Sequence, residues 1–376
     1  MSVDPWILAW VAAAWAMVVS LSKSMETVVA AEPGQPPRAR TGGDWVLIVS
    51  APLAVAFSLV ALRPLAPPAG DTAAYVRTYL RLPTSPDAWE AGRSYFGNSE
   101  FLFWRAQGLL GQWADARLFL VLNFVAVVVA TALCYRTLTR HWSPYAWVSF
   151  ALVFLTYFTV YSGNGMRQAV AIPVAMLAAR LLWEKAWLKG AALLVVAAGL
   201  HWAAIAVLAV LALRALPLTR LVVLGVPLAA YLLSSQLSTL VLDRLGETSL
   251  SERADLYGTA VESTADSRTS INLLIVVALY VVLAMVQRAT HDGDRFIRAT
   301  ALLFMTLVAA TLPLNEVWVR FLVNLMFLTP AIVIACLRAT SLPPRLKSTA
   351  LALGFTLLCG AWLVSTSAQL TLGYGL

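Results

Sequence analysis

The stretch YSGNGMRQAVAIP, residues 161–173, separates two apolar runs that cover residues 145–160 and 169–182. Runs of this kind recur along the chain, and each approaches the roughly 20 apolar residues with which an α-helix crosses a bilayer. The separating stretch is short, yet it contains an arginine and two side-chain amides. The pattern predicts an all-α polytopic membrane protein in which residues 161–173 connect two membrane helices.

The composition also indicates a membrane protein. The chain of 376 residues is 60% hydrophobic and only 12% charged, which is about half the charged fraction of a soluble domain. The net charge of +8 comes mainly from arginines at the ends of apolar runs. It therefore reports membrane topology, and nucleic acid is not expected as a partner. The cysteines lie within or at the end of apolar runs, so we interpret them as packing residues and not as metal ligands.

The apolar runs predict a single transmembrane domain over residues 1–376 with about ten to eleven membrane helices. The predicted spans are residues 5–21, 45–62, 118–134, 145–161, 167–182, 191–213, 219–234, 271–286, 297–314, 320–337 and 348–365. Two connections are long, residues 63–117 and 235–270, whereas the short connections are mostly basic. If the short basic loops lie in the cytoplasm, both long loops lie outside.

That topology requires an unusual element at residues 191–213, which must enter the membrane and return. The middle of this segment reads GLHW and holds the only histidine within any predicted span. Broken helices are tolerated at membrane depth where they line a protein or water cavity. We therefore predict a broken or re-entrant element with His201 near its turn. A straight span with weak topology signals is the alternative.

Three residues on the predicted external side are candidates for chemistry. Arg167 is costly to remove from water without an anionic partner, which favours anion binding over simple contact with headgroups. His201 is a candidate general base or phosphate donor, or else a structural histidine. Arg320, with Asn324 one turn later, is a second candidate for phosphate binding. The alternative for Arg320 is an ion pair with Glu316.

The long loops add further candidates. Asp71 and Tyr75 share one face if their stretch is helical, and Asp71 is either a helix N-cap or a carboxylate base. Glu100 opens a predicted amphipathic helix in NSEFLFWRAQGLLGQW, where we expect it to cap the helix. This helix is expected to lie on the membrane surface or to pack over the bundle. Tyr257, in the second loop, either stacks on a sugar ring or packs.

Five stretches, taken together, resemble a known family. They are GDTAAY (70–75), SEFLF (99–103), GNGMRQAVAIPVAMLA (163–178), VVAAGLHWAAI (195–205) and VRFLVNLMF (319–327). Between residues 70 and 330 the chain resembles the EpsG-like branch of the Wzy-type polysaccharide polymerases. The Arg-Gln pair and the buried histidine are the most specific parts of this resemblance.

The resemblance implies a GT-C-like bundle in the bacterial plasma membrane that joins lipid-linked oligosaccharide repeat units at the outer face, as in exopolysaccharide synthesis. It implies that the donor is an undecaprenyl-pyrophosphate glycan and that the acceptor is the terminal hydroxyl of another lipid-linked unit. The reaction is expected to be metal-independent and inverting, without a cofactor. A chain-length regulator and a flippase are candidate partners. The predicted catalytic residues are Arg167, His201, Asp71 and Arg320. In this prediction the arginines bind the pyrophosphate, and His201 or Asp71 is the base. The predicted substrate-binding residues are Asn164, Gln168, Tyr75, Glu100, Tyr257 and Asn324.

Other functions fit the sequence less well. A transferase that adds one sugar from a lipid-phosphate-sugar usually carries paired acids in its first external loop, and GDTA offers only one. A flippase or transporter often contains internal repeats, and none is evident. An acyltransferase is disfavoured because the buried histidine has no acidic residue near it in sequence. The chain contains no P-loop, dinucleotide turn, HExxH or nucleophile elbow, which argues against soluble nucleotide chemistry.

Overall fold

The computed structural model describes residues 65, 72–82, 100–139, 165–245, 267–286, 292–340, 342–343 and 346. Within these ranges every regular element is a helix, and there is no strand. The α-helices are α1 (Thr72–Arg81), α2 (Phe101–Leu110), α3 (Ala116–Leu138), α4 (Met166–Trp183), α5 (Trp187–Leu200), α6 (Arg220–Leu232), α7 (Ser234–Leu245), α8 (Ser267–Val286), α9 (Asp292–Ala310) and α10 (Asn315–Ala339). A 3₁₀ helix, η1 (Trp202–Arg214), lies between α5 and α6.

Three of the described helices are long and apolar enough to cross a membrane, namely Ala116–Leu138, Met166–Trp183 and Val317–Ala339. They match the predicted spans at 118–134, 167–182 and 320–337. The predicted spans at 219–234, 271–286 and 297–314 are also mainly helical, in agreement with the predicted helical membrane protein. The predicted spans that lie outside the described residues are 5–21, 45–62, 145–161 and 348–365.

The predicted span at 191–213 is interrupted at His201. Helix α5 ends at Leu200, and His201 has extended backbone angles, with φ −160° and ψ 112°. The 3₁₀ helix η1 begins at the next residue. The 14 residues of α5 extend only about 21 Å, which is less than the roughly 30 Å of the hydrocarbon core. The predicted break is therefore present, and its re-entrant course stays a prediction.

The chain divides into two compact units, one formed by Met1–Ala206 with Leu342–Leu376 and the other by Val207–Ser341. In the first unit, α4 and α5 form a tight helical hairpin. A Cβ atom on Gly190 of α5 would lie 2.6 Å from Leu182 Cγ and 3.0 Å from the carbonyl oxygen of Ala178. The two helices approach this closely because position 190 has no side chain, as is common where membrane helices pack.

The predicted amphipathic helix of the first long loop forms as α2, and it packs on the bundle of the first unit. It buries Phe103, Trp104, Gln107 and Gly108 and contacts α5. The side-chain amide of Gln107 donates from Nε2 to Oδ1 of Asn123 in α3, at 3.1 Å. Both side chains are buried, so separating the amide pair would leave polar groups without partners, and the pair favours one position of α2 along α3.

Helix α1 is held to the beginning of α3. The ring of Tyr79 stacks on Phe119, with centroids 4.2 Å apart, and its hydroxyl donates to the carbonyl oxygen of Ala114 at 2.6 Å. Asp115 caps α3 through a hydrogen bond from the backbone N–H of Leu118. The described part of the first long loop thus contains two helices that pack on the unit.

In the second unit, α9 packs against α6 and α10, and α8 packs against α10. Arg295 of α9 donates from Nη2 to the carbonyl oxygens of Arg214, at 2.7 Å, and Leu216, at 3.3 Å. A cation at this end of η1 satisfies carbonyls that the helix leaves open. The predicted second loop, residues 235–270, begins as helix α7.

Candidate functional site

Four residues that the sequence analysis selected meet in the first unit. Tyr75 lies in α1, Glu100 directly precedes α2, Arg167 is in the first turn of α4, and His201 directly follows α5. These residues are linked by hydrogen bonds across sequence separations of 67 to 101 residues. The fold therefore assembles the cluster, since no local motif contains more than one of its members.

Glu100 lies at the centre of the cluster, and its side chain is fully buried. One carboxylate oxygen, Oε2, accepts a hydrogen bond from Nη1 of Arg167, while the other, Oε1, is bonded to Nδ1 of His201. Glu100 occupies the N-cap position of α2, but its side chain makes no capping hydrogen bond. The expectation that it caps the helix is wrong, because both oxygens are committed to partners outside α2.

Arg167 is held by a second polar partner and by two aromatic rings. Its Nε donates to the hydroxyl oxygen of Tyr75 at 3.1 Å. Its guanidinium carbon lies 5.9 Å from the ring centroid of Tyr75 and 6.0 Å from that of Trp104, within the range of cation–π attraction. A cation in the first turn of a helix opposes the helix dipole. The carboxylate of Glu100 offsets that cost.

Trp104 is a member of the site that the sequence analysis did not identify. It is buried, its ring stacks on Tyr75 with centroids 6.3 Å apart, and Phe103 meets it edge-on at 5.0 Å. A tryptophan on the buried face of an amphipathic helix looks like a core residue in sequence. Only its neighbours in space show that it supports the arginine.

The two ring nitrogens of His201 differ in their hydrogen bonding. Nδ1 is bonded to Glu100, whereas the buried Nε2 has no hydrogen-bond partner among the described residues. An ionised carboxylate can only accept, so Nδ1 must carry the hydrogen of this bond. In the neutral ring the lone pair then lies on Nε2, the arrangement in which a carboxylate orients a histidine base. This basic nitrogen is therefore without a partner among the residues that the structure describes.

Glu100 is held in its ionised form. Burial raises the pKa of its carboxyl group, but the hydrogen bond from His201 and the positive charge of Arg167 outweigh burial. The pKa of Glu100 consequently lies below the usual range of a glutamate. Near neutral pH the carboxylate therefore remains an acceptor for both partners.

This depressed pKa predicts how stability will depend on pH. A carboxyl group whose pKa is lower in the folded protein stabilises the fold above its unfolded pKa, about 4.3 for glutamate. That contribution is lost as the pH falls through the folded value. We expect the wild-type protein to melt at a higher temperature than Glu100→Gln at pH 7, and the gap to shrink below about pH 4. Tryptophan fluorescence of purified protein in detergent measures this, and a gap that is unchanged or wider in acid would contradict it.

The remaining predicted site residues are placed as follows. Gln168 lies beside Arg167 in the first turn of α4 and is half-buried. Arg320 and Asn324 lie in α10 of the second unit, where Nδ2 of Asn324 donates to the backbone oxygen of Arg320 at 3.0 Å. The convergence of Arg320 with Arg167 stays a prediction. The predicted residues outside the described ranges are Asp71, Asn164 and Tyr257.

The sequence analysis also missed the acidic partner of His201. It disfavoured an acyltransferase because no acidic residue lies near His201 in sequence, and Glu100 now supplies that partner from 101 residues away. That argument is therefore wrong, and the choice of reaction rests on other observations. Within the described ranges no group of three or more His, Cys, Asp or Glu side chains is placed to hold a metal ion. Metal independence stays a prediction.

Comparison with known proteins identifies one family. Residues 48–372 match the EpsG family, a range that includes every member of the cluster and both of the predicted long loops. No curated protein sequence matches the chain significantly, and no solved structure does so.

Proposed function

Because this chain belongs to the EpsG family, we propose that it is a membrane glycosyltransferase that joins lipid-linked oligosaccharide repeat units into a polysaccharide. Its donor would be an undecaprenyl-pyrophosphate glycan, and its acceptor a hydroxyl group of a second lipid-linked unit. The reaction would take place at the outer face of the bacterial plasma membrane. One observation supports this proposal most directly, which is the buried Glu100 carboxylate that bridges Arg167 and His201.

In this proposal His201 is the general base. Its Nε2 would accept the proton of the acceptor hydroxyl while that oxygen forms a bond to the anomeric carbon of the donor. The bond between the anomeric carbon and the pyrophosphate oxygen breaks, and the lipid pyrophosphate leaves with the electron pair. A single displacement of this kind inverts the anomeric centre. Glu100 keeps His201 in the required tautomer and stabilises the imidazolium that forms.

Arg167 would act on the leaving group. Charge develops on the pyrophosphate as the glycosidic bond breaks, and a fixed guanidinium in a partly dehydrated site stabilises such charge. Only 13% of the Arg167 side chain is exposed, and Glu100, Tyr75 and Trp104 fix its position. The contributions of Gln168 and Arg320 to the same pyrophosphate remain part of the proposal.

Reconstitution tests this function. Purified protein in liposomes, given undecaprenyl-pyrophosphate repeat units without nucleotide or ion gradient, should produce a ladder of products that each differ by one repeat unit. The ladder should persist in excess EDTA. Addition of a single sugar from a lipid-phosphate-sugar would favour the other transferase class. Transfer of intact labelled lipid across the bilayer without elongation would favour a flippase, and either result would contradict the proposal.

A further inference from the structure

The end of α5 touches the beginning of α2 at a glycine. Gly199 lies two residues before His201, and its neighbour across the contact, Leu102, lies two residues after Glu100. A Cβ atom built on Gly199 would lie 2.9 Å from Cβ of Leu102 and 3.6 Å from Cζ of Phe101. The contact thus lies one turn or less from each partner of the Glu100–His201 hydrogen bond.

This contact has no room for a side chain at position 199. Two carbon atoms that are not bonded to each other pack at about 3.5–4.0 Å, so an alanine there would have to move. The obstructing atom is the Cβ of Leu102, which is fixed to the backbone of α2 and cannot turn away as the end of a side chain can. Relief would therefore come from a shift of α2 or of the end of α5, and Glu100 or His201 would shift with it.

We infer that Gly199 is a positioning residue for the Glu100–His201 pair. Its missing side chain lets the first turn of α2 lie against the last turn of α5, which places the carboxylate on Nδ1 of His201. The inference rests on the proposed function, in which this pair activates the acceptor hydroxyl. It assigns to Gly199 a geometric role in the reaction, although Gly199 carries no chemical group of its own.

Two other glycines provide matched controls. Gly190 is in the same helix and is packed even more tightly, but its contacts are with Leu182 and Ala178 of α4. Gly225 lies in α6 and would have nothing within 4 Å of an added Cβ. Alanine at Gly190 thus tests a general packing defect of α5, and alanine at Gly225 tests the substitution without any clash.

The experiment compares alanine at all three positions, with the rate of ladder formation expressed per mole of monodisperse protein. Gly199→Ala should lower this rate about 10-fold to 100-fold, because a misplacement of about 1 Å can cost about 100-fold in a reaction. Gly190→Ala should lower the melting temperature but leave the rate within about twofold. Gly225→Ala should leave the rate unchanged and should not lower the melting temperature, because alanine is the better helix former and meets no clash there. A wild-type rate for Gly199→Ala, or an equal loss of rate for Gly190→Ala, would overturn the inference.

A double substitution separates positioning from general packing. If Gly199 acts through Glu100, Gly199→Ala should add little to the loss caused by Glu100→Gln, whereas independent effects would multiply. The swap Gly199→Ala with Leu102→Gly removes the obstructing Cβ and should recover at least half of the wild-type rate. If Gly199→Ala alone does not fold, the swap still tests the inference, because a folded but inactive double variant would overturn it. Wild-type rates for both Glu100→Gln and His201→Gln would instead overturn the proposed function, and this inference with it.

Discussion

Glu100→Gln will lower the rate of polymer formation by about 100-fold or more, although it replaces only one carboxylate oxygen with an amide group. One carboxylate oxygen accepts a hydrogen bond from Arg167, and the other accepts one from His201. Glutamine has a single oxygen, which can occupy only one of the two carboxylate oxygen positions and therefore accepts from only one of these donors. If the oxygen stays on Arg167, the amide NH₂ faces Nδ1 of His201. That contact requires the opposite tautomer, in which Nε2 carries hydrogen and can no longer accept a proton.

His201→Gln should produce a loss of similar size, because it removes the base itself. The two substitutions together should be no worse than the more severe single one, since both remove the same proton acceptor. The rate of ladder formation in liposomes measures all three variants. A suitable control is Asp115→Asn, the same chemical change in the same unit, at a position that caps α3. Asparagine caps helices as well as aspartate does, so this variant should retain the wild-type rate within about twofold.

Either of two outcomes would contradict the proposed base. One is a wild-type rate for Glu100→Gln, which would show that the tautomer of His201 is irrelevant. The other is a full loss for Asp115→Asn, which would show that any change of charge in this unit inactivates the protein. Melting temperatures belong beside the rates, because loss of the ion pair with Arg167 also destabilises the fold.

The helical fold was predictable because membrane helices carry their signal in composition. Apolar runs that are long enough to cross a bilayer locate α3, α4 and α10 within a few residues. The break at His201 was predictable from topology, since basic loops on one side required an irregular element there. Helix α7 was not predicted, because its sequence SSQLSTLVLDRL is mixed in polarity and adjoins a polar region. Its contacts with α6 and α9 are not visible in its own sequence.

The site was predictable as a set of residue types but not as a set of contacts. Arg167 and His201 were conspicuous because a charge or an imidazole in an apolar run needs a reason. The role of Glu100 as their shared partner was not conspicuous, because Glu100 occupies a normal position for a helix cap. A role as helix cap explained Glu100 from its local sequence, whereas its actual contacts depend on how α2 packs on α5. Trp104 was missed for the same reason, since burial alone explains an aromatic residue.

Arg167→Ala will abolish the ladder of polymer products and leave lipid-linked single units unconsumed. Two losses combine in this variant, because the pyrophosphate loses its cation and Glu100 is left as a buried charge with only His201 as a partner. Removing one member of a buried ion pair typically costs about 3–5 kcal/mol of stability. A simple failure to fold must therefore be separated from a failure of the reaction.

The double variant Arg167→Met with Glu100→Gln makes that separation. It replaces the buried ion pair with two neutral side chains of similar volume, an exchange that is often neutral or stabilising. We expect its melting temperature to recover most of what Arg167→Ala loses, while its rate falls below that of Glu100→Gln alone, because the pyrophosphate has lost its cation as well. Arg167→Lys keeps the charge but cannot donate to Tyr75 and Glu100 from a planar fork, so it should retain at most about a tenth of the wild-type rate. A normal ladder from Arg167→Ala, or a neutral double variant as active as Glu100→Gln alone, would show that this guanidinium is structural and that the leaving group is stabilised elsewhere.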